Sequence, residues 1–241
     1  MNKLILLTLF LFSTTCVEAH TKVKRTKKHQ SKHHVVKHQK RNYGIQTNPN
    51  VLLMNITDNQ IIENTLPEHR GSIASISKLM TVYTVINAKQ DMNEIIPVVS
   101  TLSNHTRLSK GMQLSRKDLI MMALIHSDNL AAKTLADNYL GGYDAFITSM
   151  NRNAKELLMD NTRVKATKGK KTYTITARPT INFFGKEGIV TIKTGFTNAA
   201  GFCITMLVSK KDKLYNLVIL GARSSKERKL LIERSLKSIQ T

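Results

Sequence analysis

The chain has 241 residues, 41% of them hydrophobic, which is enough for one substantial domain or two small ones sharing a core. Its formal net charge is +21, from 37 Lys and Arg against 16 Asp and Glu, and its cysteines are Cys16 and Cys203. This composition excludes a disulfide-stapled mini-protein, and no segment beyond the N-terminus is apolar enough to span a bilayer.

Residues 1–19 read as a secretory signal peptide. Lys3 supplies the positive charge, Leu4 to Phe12 the apolar run, and Val17-Glu18-Ala19 a small-residue cleavage site. Cys203 is then alone, a small core residue between Phe202 and Ile204. Residues 20–42 carry nine cations and no acid, with His20, His29, His33, His34 and His38 interspersed. Such a run repels itself and buries little, so it reads as a disordered basic arm. In an exported protein its expected partner is an anionic membrane or wall surface; the export signal argues against nucleic acid.

The folded domain is expected over residues 43–241. Val51 to Ile56 reads as a buried strand, Thr57-Asp58-Asn59 as a turn and Gln60 to Asn64 as the returning strand. Pro67 and Gly71 punctuate the approach to the first helix. Ser75 opens that helix, with Leu79, Val82 and Ile86 at helical spacing. Ser115-Arg116-Lys117-Asp118 resembles a capping box before the apolar run Leu119 to Ile125. Ser127-Asp128-Asn129 separates that helix from the next. Gly141-Gly142 ends the latter, and Tyr143 to Leu158 forms another. Thr172 to Ala177, Ile189 to Thr194, Phe202 to Val208 and Leu214 to Leu220 read as strands, with a hairpin turn at Lys210-Lys211-Asp212. Ser224 to Ile239 closes the chain as an amphipathic helix whose apolar side is Leu230, Leu231 and Leu236. The pattern predicts an α+β fold: an antiparallel sheet flanked by helices, with a helical region at about 75–160 inserted between sheet segments.

Three short words carry chemistry: Ser75-Ile76-Ser77-Lys78, Ser127-Asp128-Asn129 and Lys193-Thr194-Gly195. Each has a bland reading, as an N-cap, a helix junction or a plain strand. Their order and contexts suit a serine nucleophile handled by a lysine. Ser75 and Lys78, three apart, share a face of the first helical turn. A free lysine has a pKa near 10.4 and serves as a base only if burial and neighbouring cations lower it, a service Lys193 could render. Ser127 would relay a proton to the leaving nitrogen, and Asn129 would bind the substrate amide. Lys193 and Thr194 would hold a terminal carboxylate, and Gly195 would let substrate lie against the strand. No metal or cofactor is called for. His126 beside the second word reads as structural, since Lys78 already fills the post of base.

These words match the S-x-x-K, S-D-N and K-T-G set of penicillin-binding proteins and serine β-lactamases. Gly71-Ser-Ile-Ala-Ser-Ile-Ser-Lys-Leu-Met-Thr81 resembles the nucleophile segment of the low-molecular-mass penicillin-binding proteins, the serine D-Ala-D-Ala peptidases of S11 type. Residues 107–119, Gly141-Gly-Tyr-Asp-Ala-Phe146 and Lys193-Thr-Gly-Phe-Thr-Asn-Ala-Ala-Gly201 are most like the D-alanyl-D-alanine endopeptidase branch, the penicillin-binding protein 7 type. The resemblance implies a β-lactamase/transpeptidase-like fold and a periplasmic enzyme. It further implies cleavage of D-Ala-containing peptidoglycan peptides through an acyl-serine, with β-lactams as covalent inhibitors. It implies an oxyanion hole from the backbone N–H groups of Ser75 and Phe196. In the family, several dozen residues separate the helix ending near Asn161 from the strands before K-T-G. Here Thr162 to Thr167 runs almost straight into Lys168-Gly-Lys-Lys171, so the helical region is shortened. Two alternatives stand beside this reading: a class A-like β-lactamase, with Glu156 the only acid in the right stretch, and a peptidoglycan-binding pseudo-enzyme without turnover.

Overall fold

The computed structural model describes residues 48–65, 72–101, 105–157 and 188–239. The leader, the basic arm, Pro67, Gly71, the strand expected at Thr172 to Ala177 and the shortened stretch after Asn161 lie outside the described residues.

The sheet begins with strands β1 (Asn50–Asn55) and β2 (Gln60–Asn64), paired antiparallel. Their turn closes because Asn59 takes a left-handed φ of 56° while Asp58 N–H donates to Asn55 Oδ1 at 3.1 Å. Strands β3 (Ile95–Pro97) and β4 (Gln113–Ser115) form a separate small hairpin among the helices. Strands β5 (Ile189–Thr197), β6 (Gly201–Lys210) and β7 (Lys213–Ala222) come after the helices and complete the main sheet. The sheet order is β2-β1-β7-β6-β5, every pair antiparallel. Among the described strands, the one carrying Lys193-Thr194-Gly195 is therefore at the edge, and it runs three residues beyond the expected end, through Phe196 and Thr197.

Among the described residues, four helices lie between the two parts of the sheet. A single 3₁₀ turn at Ala74–Ile76 leads into α1 (Ser77–Asn87), so Ser75 stands one turn ahead of the α-helix rather than at its first position. The buried face of α1 is Lys78, Thr81, Val82, Thr84 and Val85, while Leu79 and Ile86 are only half-buried. The hairpin of β3 and β4, not anticipated from sequence, precedes α2 (Arg116–Ile125). Ser115 caps α2 as expected, its Oγ accepting from Asp118 N–H at 3.0 Å. Then come α3 (Asn129–Asp137) and α4 (Gly142–Glu156), separated where Gly141 and Gly142 adopt φ of 86° and 81°.

The closing helix α5 (Ser225–Ser238) corrects one expectation. Leu230 is 57% exposed, and the buried stripe is Arg228, Ile232, Ser235 and the cap Ile239, with Leu231 and Leu236 packed beside it. That stripe closes the apolar cluster formed by Val51, Leu53, Ile204, Met206, Leu217 and Ile219 of the sheet. A second apolar interior lies among the helices, with Leu119, Leu130, Leu135, Phe146 and Met150 buried. No helix among the described residues is long and apolar enough to cross a membrane.

Candidate active site

The three words converge. Lys78, 6% exposed on α1, places Nζ 2.9 Å from Ser75 Oγ, one turn before it. The same Nζ donates to Asn129 Oδ1 at 2.7 Å, which ties α1 to the first residue of α3. Sequence reasoning reserved Asn129 for substrate; its carbonyl oxygen also fixes the lysine. Lys193, likewise 6% exposed, donates to Ser127 Oγ at 3.0 Å and to the Thr194 carbonyl at 2.9 Å, linking β5 to the α2–α3 loop.

Gly195 sits where β5 meets the 3₁₀ turn. A Cβ there would stand 2.9 Å from Ser75 N, 3.0 Å from Ala74 Cβ and 3.0 Å from Ile73 O. Backbone thus approaches backbone beside the serine, and only glycine leaves the room. Phe196, next along, pairs with Phe202 on β6, and their rings lie 4.3 Å apart.

Ser127 adopts a left-handed φ of 55°, and Ala74, before the serine, one of 48°. Asp128 holds the Ser127 loop in place. It is buried, and its Oδ1 accepts from Leu130 N and Ala131 N at 2.9 Å each. Arg107 N–H donates to its Oδ2 at 2.7 Å, and Thr106 Oγ1 lies 2.9 and 3.0 Å from its two oxygens. Sequence reasoning passed over this middle residue, although an acid at a helix N-cap was legible. It also missed His105, whose carbonyl accepts from Asn129 N–H at 3.2 Å; no spacing pointed there.

Burial pushes Lys78 down from its ordinary 10.5 to about 8, against the pull of Asp128. Burial and the neighbouring Lys78 charge push Lys193 down to about 7. The two amines resist being charged together, so near neutral pH the pair holds roughly one proton. Such a site can keep one amine as a base and one as a cation. His126 lies at the exposed C-terminal cap of α2; burial and Arg107 lower its pKa, against Asp128. Glu156 is exposed at the end of α4, 3.9 Å from Arg152 Nε. Cys203 is buried on β6, opposite Gly195.

Comparison with known proteins identifies the family and the fold. The peptidase S11 family, D-alanyl-D-alanine carboxypeptidase, matches residues 38–182. The chain is 32% identical to a D-alanyl-D-alanine endopeptidase of Escherichia coli, over 71% of this chain and 70% of the relative. It is 31% identical to a D-alanyl-D-alanine endopeptidase of Pseudomonas aeruginosa, over 68% and 67%. The fold resembles penicillin-binding protein D2 of Listeria monocytogenes, solved in an ampicillin-bound form, with a TM-score of 0.65 at 21% identity over 78% of this chain and 95% of that one. The antiparallel sheet with flanking helices is thus the penicillin-binding and transpeptidase fold that the sequence led one to expect. A serine and a lysine at hydrogen-bond distance, in that fold and with those relatives, leave one conclusion: the chain belongs to the peptidase S11 family, serine hydrolases of the D-Ala-D-Ala peptides of peptidoglycan.

Proposed function

We propose that the protein is an exported serine endopeptidase, with residues 43–241 as its catalytic domain. It would cleave D-Ala-containing peptide cross-links through an acyl-Ser75 intermediate and be acylated by β-lactams. The observation that carries this is the 2.9 Å approach of Lys78 Nζ to Ser75 Oγ in a site where burial lowers the lysine to about 8. Endopeptidase action is favoured over carboxypeptidase action by the two endopeptidase relatives. The ampicillin-bound Listeria protein supports β-lactam acylation. The N-terminal leader supports export to the periplasm, and the Lys- and His-rich arm supports attachment to an anionic membrane or wall surface.

The substrate's carboxylate binds Lys193 and the Thr194 hydroxyl. An anion there favours the charged form of Lys193, and that charge drives the proton off Lys78. Lys193 is the lower of the two without substrate; the carboxylate reverses the order. Neutral Lys78 takes the Ser75 hydroxyl proton as Oγ attacks the carbonyl carbon. The backbone N–H groups of Ser75 and Phe196 stabilise the oxyanion, and Asn129 holds the substrate amide. The proton passes from Lys78 through Ser127 to the leaving nitrogen, the C–N bond breaks, and the acyl group stays on Ser75. Water, deprotonated by Lys78, then releases the acid and restores the hydroxyl.

The test is covalent labelling by fluorescent penicillin, with mass analysis of cross-linked muropeptides after incubation. The unmodified protein labels and consumes cross-links, Ser75→Ala does neither, and Lys78→Ala labels at a small fraction of the normal rate. Labelling that survives the serine change refutes the assignment. Free D-alanine from pentapeptide with intact cross-links makes the enzyme a carboxypeptidase, and rapid turnover of a chromogenic β-lactam makes it a β-lactamase.

A further inference from the structure

Among the described residues, seven non-glycine positions have left-handed φ. Asn59, Lys89, Lys211 and Asp212 lie in turns. The other three gather at the site: Ala74 before the serine, Ser127 in the second word, and His105 at φ 56°. The first two are accounted for by the motifs. His105 belongs to none, yet it is fixed as firmly. Its carbonyl accepts from Asn129 N–H at 3.2 Å, and the next two residues, Thr106 and Arg107, both bond the buried Asp128 carboxylate. Strain of this kind persists where the surroundings over-determine it.

The residue is half-buried, and near enough to Lys78 and Lys193 for both charges to act on it. Burial first, then the Lys78 charge, then Lys193, lower its pKa from 6.5, against the pull of Asp128. It is therefore neutral at neutral pH, with one ring nitrogen as donor and the other as acceptor. That pair of functions suits a peptide bond, which offers one C=O and one N–H. The loop that carries His105 is bonded to the α2–α3 loop, which Lys193 reaches from β5 through Ser127.

We propose that His105 is a substrate-positioning residue of the loop bonded to Asn129 and Asp128, where its imidazole hydrogen-bonds the substrate peptide on the leaving side of the scissile bond. This rests on the acyl-serine mechanism, in which Ser127 serves that same leaving nitrogen.

The experiment compares the unmodified protein with His105→Gly and His105→Gln. Glycine accepts a left-handed φ, so it removes the ring without straining the loop; glutamine restores a donor and an acceptor. Steady-state kinetics are measured on the cross-linked dimer, whose leaving strand carries peptide bonds, and acylation is measured with fluorescent penicillin; a protein that labels but leaves the dimer intact sinks the inference alone. One neutral hydrogen bond corresponds to about a tenfold change. His105→Gly raises KM for the peptide about tenfold with kcat nearly unchanged, and His105→Gln recovers most of it. Acylation by penicillin, which carries no separate leaving peptide, stays within about twofold. The proposal is overturned if peptide KM is unmoved in the glycine variant. It is also overturned if peptide turnover and acylation fall together, which would mean that the residue acts only through Asn129. An unmodified protein that neither labels nor cleaves sinks the acyl-serine mechanism, and the inference with it; normal labelling with an unmoved KM sinks the inference alone.

Discussion

A methyl group at residue 195 has nowhere to go. Its neighbours would be the Ser75 nitrogen, the Ile73 carbonyl oxygen and Ala74 Cβ, all at 3.0 Å or less, and two of the three are backbone. Neither a rotamer nor a flexible chain end can relieve the contact, so Gly195→Ala must push β5 away from the 3₁₀ turn. Displacement of an oriented donor by about 1 Å is worth roughly a hundredfold in rate. Gly195→Ala should therefore slow penicillin acylation about a hundredfold, with a melting temperature only a few degrees lower; acylation at the normal rate would mean that the two backbones do not need this closeness. Such residues could be picked out from sequence because three words, each common alone, stand in one order and in fitting contexts. His105 could not, because a lone histidine between Asn104 and Thr106 carries no pattern. Only the fold brings it near enough to feel the charges of two lysines 27 positions before it and 88 after.

At the scale of elements, Asp128 joins two pieces of chain. It caps α3 through two backbone donors, takes the Arg107 N–H and engages the Thr106 hydroxyl. Alanine there removes an N-cap worth about 1 kcal/mol and leaves further donors unsatisfied in a buried place, at about 1–3 kcal/mol. In a domain of this size each kcal/mol moves the melting temperature by roughly 2–4 °C. Asp128→Ala should thus melt about 5–15 °C lower, and Asp128→Asn, which keeps one acceptor oxygen, should lose about half as much. Calorimetry checks both, and equal melting of all three proteins would refute the clamp. The elements themselves were largely legible, since alternation marked the strands, Ser115 marked one helix start and the Ser127-Asp128-Asn129 word marked the junction before the next. Their faces were less so. Spacing put Leu230 on the apolar side of α5, but the helix is turned by Arg228, whose Nη1 donates to the Cys203 carbonyl at 3.2 Å and whose guanidinium lies over the Phe202 ring at 5.7 Å. A tertiary contact of that kind overrides the local pattern, and it leaves Leu230 outside. The hairpin of β3 and β4 escaped notice because three-residue strands are too short to show a period.

At the scale of the whole molecule, the site is held against the interest of stability. Both lysines have folded-state pKa values below the 10.5 of the unfolded chain, at about 8 and about 7. Below these values both states are protonated, and the fold bears the full penalty of two buried cations, on the order of a few kcal/mol each. As pH rises from about 7 toward 10.5, the folded protein has released protons that the unfolded chain still binds. The unfolded state then holds more protons, so stability rises with pH across this window. Other groups titrate there too, so the comparison must be with variants that lack only these amines. Methionine keeps most of the side-chain volume without the charge. Lys78→Met and Lys193→Met should each be more stable than the unmodified protein in denaturant titrations at pH 7, and the gap should narrow toward pH 10. Lys78→Met should meanwhile lose nearly all penicillin labelling. A constant gap between pH 7 and 10 would mean that the amines enter the fold at no electrostatic penalty. The depressed lysine on which the proposed proton transfer depends would then be absent, because the burial that makes Lys78 a base is the same burial that weakens the fold.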